Sequence, residues 1–157
     1  MARTTLANER VSLATSSAFG GALEAILEMV AGTDEPDLLD ALGLPRAIAT
    51  SSAHETVQAH LSAHGLTHRF DVVVGHGDYA QSKPAPDPFL LAAERLAVPA
   101  AFCLALEDSH NGVRAAHAAG MMTVMVPDLL PATDEMRSLC LAIAESLHEV
   151  RALLAET

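Results

Sequence analysis

The chain has 157 residues, the size of one ordinary domain. Half of them are hydrophobic, and with a mean hydropathy of +0.27 the composition argues against an intrinsically disordered chain. Nine Lys and Arg against 20 Asp and Glu give a formal charge of −11, with only four Phe, one Tyr and no Trp. That balance repels nucleic-acid backbones and anionic lipid and offers few rings for stacking, so neither nucleic acid nor a membrane surface is an expected partner.

In chain order, Val11–Thr15 reads as a strand and Phe19–Ala31 as a helix. Thr33 or Asp34 would cap a short second helix, with Pro36 in its first turn. From residue 46 onward short apolar runs alternate with amphipathic stretches. Strands are expected at Arg46–Thr50, Asp71–Gly75, Phe102–Leu106 and Met122–Val126, and helices at His54–His64, Asp87–Leu96 and His110–Ala119. Such alternation predicts βαβ units and a mostly parallel sheet covered on both faces. Thr133–Thr157 reads as one or two closing helices. The chain therefore divides into an atypical segment, residues 1–45, and a doubly wound α/β core, residues 46–157. The pentapeptide ATSSA occurs at Ala14–Ala18 and again at Ala49–Ala53. With no longer repeat behind it, coincidence and duplication account for it equally well.

No apolar run reaches bilayer length, and MARTTLANERVSLATSS lacks an apolar stretch of signal-peptide length. Cys103 and Cys140 lack metal-ligand spacing, and two reduced thiols in a cytoplasmic protein are the expectation.

Open α/β sheets bind ligands at the carboxyl ends of their strands, and three such positions carry suggestive groups. Thr50-Ser51-Ser52 leads into a helix, where hydroxyls and unpaired N–H groups form an anion site; simple N-capping is the alternative. Lys83, the sole lysine, sits in the proline-stiffened Ser82-Lys83-Pro84-Ala85-Pro86 loop. That suggests a placed point charge rather than a solvated loop lysine. Glu107-Asp108 ends a strand before Ser109-His110-Asn111-Gly112. Adjacent carboxylates there call for a cation, and hard oxygen ligands suit Mg²⁺; an N-cap Asp with a solvated neighbour is the plainer account. His60, His64 and His68 recur every four residues without acidic or Cys partners and read as a solvated face. His54, just after the hydroxyl loop, is the histidine expected to face the site.

The order and spacing of IATSS, SKPAPDPF and LEDSHNGVRAAHAAGM resemble the haloacid dehalogenase (HAD)-like superfamily, closest to its phosphoglycolate-phosphatase and β-phosphoglucomutase branch. The resemblance covers roughly Leu44 to Val126 and implies a three-layer Rossmann-like core. It implies that Thr50 or Ser51, the latter aligning best, binds the transferring phosphoryl group with Ser52 beside it. Lys83 would neutralise that group, Glu107 and Asp108 would bind Mg²⁺, and Asn111 would orient the acidic loop. The ligand would be a small phosphorylated metabolite or phosphate.

The family's opening strand ends in Asp-x-Asp, whose first Asp attacks phosphorus and whose second acts as acid and base. This sequence contains no Asp-x-Asp; the nearest approach, Glu35-Pro36-Asp37, reads as helix-capping. The helical cap is absent or vestigial. Three readings follow: a truncated or degenerate phosphatase core, a non-catalytic pseudoenzyme or assembly partner, and one half of a split enzyme. Mg²⁺ binding is expected to be weak, since one carboxylate ligand is missing. Without the nucleophile strand, the strands carrying Thr50 and Glu107 would stand roughly 10 Å apart with unpaired edges. Val11–Thr15 is the expected filler; direct pairing of the two flanking strands, or a strand from a second copy in a homo-oligomer, are the alternatives.

Overall fold

The computed structural model describes residues 12–16, as backbone, and residues 44–155. Among the described residues six strands form one sheet in the order β3-β2-β1-β4-β5-β6: β1 Ser12–Ser16, β2 Arg46–Ala49, β3 Val72–Val74, β4 Cys103–Glu107, β5 Met122–Met125 and β6 Ala142–Ile143. Every neighbouring pair is parallel. The helices are α1 His54–Ala63, α2 Asp87–Leu96, α3 His110–Ala118, α4 Asp134–Leu139 and α5 Leu147–Ala155. The expected helix at Phe19–Ala31 and the capped turn after Thr33 lie outside the described residues.

β1 occupies the slot between the strands that carry Thr50 and Glu107. Its backbone pairs Leu13 with Arg46 and Thr15 with Ile48 on one side, and Ser12 with Cys103 through Ser16 with Glu107 on the other. The described strand, Ser12–Ser16, overlaps the expected Val11–Thr15 from Ser12 to Thr15 and adds Ser16; Val11 lies outside the described residues. The backbone groups of both flanking strands are thereby paired inside the sheet, as buried peptide groups require. Ala14–Ser16 of the first ATSSA therefore lie in β1, beside the parallel strand β2 whose last residue, Ala49, opens the second copy.

Side chains alternate between the two faces of each strand. Ala47, Ala49, Cys103 and Ala105 turn to the face covered by α2 and α3, packing on Phe89, Ala92, Ala93, Ala115 and Ala116. Ile48, Leu104 and Leu106 turn to the other face, against Val57 and Leu61 of α1 and Val150 of α5. Small residues on the first face let helices approach closely, and large branched ones fill the second. The result is three layers, helix, sheet and helix.

The carboxyl tail departs from expectation. Ala142–Ile143 forms a short edge strand between α4 and α5, bonded through Leu141 N–H to Thr123 O (2.8 Å) and Ala144 N–H to Met125 O (2.9 Å). Two residues carry no readable alternation, so the run passes in the sequence for a helix break. Gly120 ends α3 at φ +78°, a left-handed backbone that favours glycine. Cys103 and Cys140 are both free thiols, and no helix among the described residues is long and apolar enough to cross a membrane.

Phe89 is the largest fully buried side chain and joins α2 to β2 and β3. Phe89→Ala should cost about 3–5 kcal/mol in urea denaturation, since the cavity lies under a rigid sheet.

Candidate functional site

The carboxyl edge of the sheet gathers the loops after β2, β3 and β4. After β2, Thr50 is fully buried: its N–H continues the ladder to Val74 O (2.9 Å) and its Oγ1 accepts from Ser52 N–H (3.1 Å). The residue before α1 is Ala53, and no side chain caps that helix. Thr50, Ser51 and Ser52 are thus not spent on capping. The first-turn N–H groups of α1 stand open beside them, with the positive end of the helix dipole.

The loop after β3 delivers Lys83. Its ammonium donates to Ala49 O (3.0 Å) at the end of β2 and to Glu107 Oε1 (3.0 Å) at the end of β4. It also lies 4.6 Å from the centroid of the Phe89 ring. The Lys83 side chain is 5% exposed and that of Glu107 0%. A buried pair of this kind holds only when further hydrogen bonds satisfy both charges. Ala49 O supplies one, and Ser109 Oγ, at 3.3 Å from Glu107 Oε2, supplies another. Ser109 also caps α3, its Oγ accepting from Gly112 N–H at 3.0 Å. A Cβ on Gly112 would fall inside the Glu107 carboxyl group, so the first turn of α3 needs a glycine at its third residue.

Asp108 differs from its neighbour. Its Oδ1 is buried and accepts no hydrogen bond. Burial first, then the negative charge of Glu107, push its carboxyl up to about 6 from an ordinary 3.8. A buried, unsatisfied, hard oxygen next to an anionic site is what a small divalent cation would complete. Among the described residues no three His, Cys, Asp or Glu side chains cluster as a ready-made metal cage. Water and a ligand oxygen would have to supply the remaining positions.

Lys83, Thr50, Ser51, Ser52, Glu107 and Asp108 therefore meet along one edge, while two expected partners stand apart from it. Asn111 is exposed, and its Oδ1 accepts from Arg114 Nη1 (3.0 Å), which also grips Glu135; Ser109 holds Glu107 instead. His54 is half exposed and donates from Nε2 to Asp78 Oδ2 (2.9 Å). Ser109, Asp78 and Tyr79, whose hydroxyl donates to Thr50 O (3.1 Å), also serve this edge and are not among the residues expected from the sequence. Ser109 stood three residues before Gly112 at a helix start, a capping signal that was legible. Asp78 and Tyr79 carried none.

A model of the haloacid dehalogenase-like hydrolases matches residues 8–120. The chain belongs to this family. Among relatives, the plasmid-borne protein CbbY of Cupriavidus necator is 43% identical over 104 residues, spanning 64% of this chain and 41% of that protein. The fructose-1-phosphate phosphatase YqaB of Escherichia coli is 44% identical over 82 residues, 52% of this chain and 44% of that one. The chain thus spans less than half the length of these two relatives. Of solved structures, CbbY from Rhodobacter sphaeroides in complex with phosphate superposes with a TM-score of 0.66 at 32% identity, covering 72% of this chain and 51% of that one. A β-phosphoglucomutase-like protein from Thermotoga maritima gives 0.67 at 28% identity, covering 88% and 60%.

Two outcomes test this HAD-like site. Ala in place of Gly112 would ordinarily favour a helix by about 1 kcal/mol. Its collision with Glu107 should instead make Gly112→Ala destabilising by about 2 kcal/mol or more in thermal denaturation. Asp108 takes up its proton in the folded chain near pH 6 but in the unfolded chain only near pH 3.8. Stability from this group therefore falls as pH rises through that window. Asp108→Asn should stabilise the metal-free protein by about 1 kcal/mol at neutral pH, after solvent screening, and leave it unchanged below about pH 4. Denaturation curves in chelator at both pH values read this.

Proposed function

We propose that the chain is a phosphatase-type HAD core that binds a small phosphorylated metabolite, or phosphate, together with Mg²⁺, and does not itself turn the ester over. The observation that carries the binding half is the Lys83 ammonium, held between the ends of β2 and β4. Two of its three N–H bonds are used, on Ala49 O and Glu107, which leaves one donor for a phosphoryl oxygen. Ser51, Ser52 and the uncapped start of α1 supply neutral donors beside Thr50. The phosphate and xylulose-1,5-bisphosphate complexes of Rhodobacter sphaeroides CbbY support a phosphorylated ligand for this family core.

Asp108 would hold Mg²⁺ through its unpartnered oxygen, with Glu107 beside it balancing Lys83 and the cation together. When bound, the cation neutralises phosphoryl oxygens and orients the ester. Lys83 keeps the anion against the sheet edge, and the buried Thr50 turn shapes its floor.

The reading of inactivity rests on β1. The family's attacking carboxylate belongs to the strand between those bearing Thr50 and Glu107. Here that strand is Ser12–Ser16, and no Asp or Glu occurs between Glu9 and Glu24. Hydroxyls without an adjacent base are poor nucleophiles toward a phosphomonoester. Binding and positioning remain; covalent transfer does not.

The expected outcome is that the chain with Mg²⁺ hydrolyses a generic phosphomonoester no faster than its Asp108→Asn variant, and that calorimetry finds weak Mg²⁺ binding which that variant loses. Turnover abolished in Asp108→Asn, or tight stoichiometric Mg²⁺ binding, would overturn the reading.

A further inference from the structure

The loop that carries Lys83 is fastened to β2 by three of its own donors. Lys83 Nζ bonds Ala49 O (3.0 Å), Tyr79 Oη bonds Thr50 O (3.1 Å) and His76 N–H bonds Ser52 O (2.9 Å). Carbonyls 49, 50 and 52 all belong to the end of β2 and the turn after it, so the three bonds together tie the loop to that exit. What sets the loop's placement lies at its start. A single oxygen, Asp78 Oδ2, accepts from Gly75 N–H (3.1 Å), His54 Nε2 (2.9 Å) and Arg95 Nη1 (2.9 Å).

These donors come from three elements. Gly75 leaves β3, His54 opens α1 and Arg95 stands in the last turn of α2, where its Nη1 also donates to Val73 O (3.3 Å). The approach is close: a Cβ on Gly75 would lie 3.1 Å from the His54 ring and from Ser52 O. Burial works against the Asp78 carboxylate, but the Gly75, Arg95 and His54 bonds outweigh it and hold the group below the ordinary range. Hydrogen bonds to a charged acceptor are the stronger kind, although partial exposure of this network reduces each of them.

We propose that Asp78 is a positioning residue: by clamping the exit of β3 to the start of α1 and the end of α2, it fixes the loop from which Tyr79 and Lys83 reach β2, and so sets where the Lys83 ammonium stands. Asp78 acts through the loop. The consequence for a ligand rests on the phosphate-site reading above; the consequence for Lys83 does not.

Lys83 is the sole lysine of the chain and its side chain is 5% exposed, so the rate at which an amine reagent modifies its peptide reports its placement. Removing the charged acceptor in Asp78→Ala should raise that rate about tenfold, the scale of one lost charge-assisted bond in local opening. Asp78→Asn, which keeps an oxygen acceptor, should stay near the wild-type rate. Val150→Ala, on the opposite face of the sheet, should lower stability without changing it. Inorganic phosphate should bind Asp78→Ala several-fold more weakly than the parent and recover in Asp78→Asn. Should Asp78→Ala fail to fold, Arg95→Gln removes one donor of the same oxygen and should raise the Lys83 rate in the same direction. An unchanged Lys83 rate in the folded Asp78→Ala or Arg95→Gln chain would overturn the proposal. Absence of phosphate binding in the parent would overturn the phosphate-site reading alone, because the lysine rate still decides the role of Asp78.

Discussion

The Lys83–Glu107 ion pair, with both side chains almost wholly out of solvent, constrains everything built around the carboxyl edge of the sheet. Two charges removed from water cost several kcal/mol apiece unless geometry and extra hydrogen bonds compensate them. The compensation draws in residues from four places. Ala49 contributes a carbonyl from β2, Phe89 a ring face from α2, Ser109 a hydroxyl from the cap of α3, and Gly112 the space for the carboxylate. None of these can change independently of the others. The pair therefore fastens a loop that follows β3 to the end of β4, across the two strands that separate them.

The same edge holds one group that the fold leaves uncompensated. Glu107 is satisfied, while Asp108, one residue on, keeps a buried oxygen without a partner and a raised affinity for protons. Glu107 closes β4 and bonds the lysine, while Asp108, the first residue beyond the strand, has no such partner for its Oδ1. Stability is stored in the first and given up at the second. That division is common where a site must receive a cation or an anion that the folded chain does not carry itself.

Beyond the site, α3 secures the carboxyl-terminal layer through three polar side chains. Arg114 grips Glu135 with two bonds, of 2.7 and 2.6 Å, while His110 meets Pro131 O at 2.9 Å and His117 meets Leu139 O at 3.2 Å. The Arg114 pair is exposed and contributes little alone. It joins α4 to α3 at the surface, beneath which Met136 is fully buried against Val113 and Met125. Asn111 is drawn into this arrangement through Arg114 and so away from the acidic loop.

Local pattern in the sequence determined the elements from residue 46 to Val126, because apolar runs bounded by Gly and Pro and helices with 3.6-residue periodicity leave few alternatives. It also marked the residues proposed to bear the chemistry: a solitary lysine in a proline-rich loop, paired acids at a strand end and a hydroxyl run before a helix are all short-range signals. Tertiary structure alone decided their partners. That Glu107 turns to Lys83, that Ser109 rather than Asn111 supports it, and that Asp78 collects three donors from three elements are contacts between residues up to 24 positions apart. No local period encodes such contacts. The two-residue β6 likewise exists because β5 offers it an edge, and its own two residues hold no pattern of a strand. At β1 both levels were needed. Its apolar character was legible, but its place between β2 and β4 comes from the unpaired backbone groups that those strands would otherwise bury.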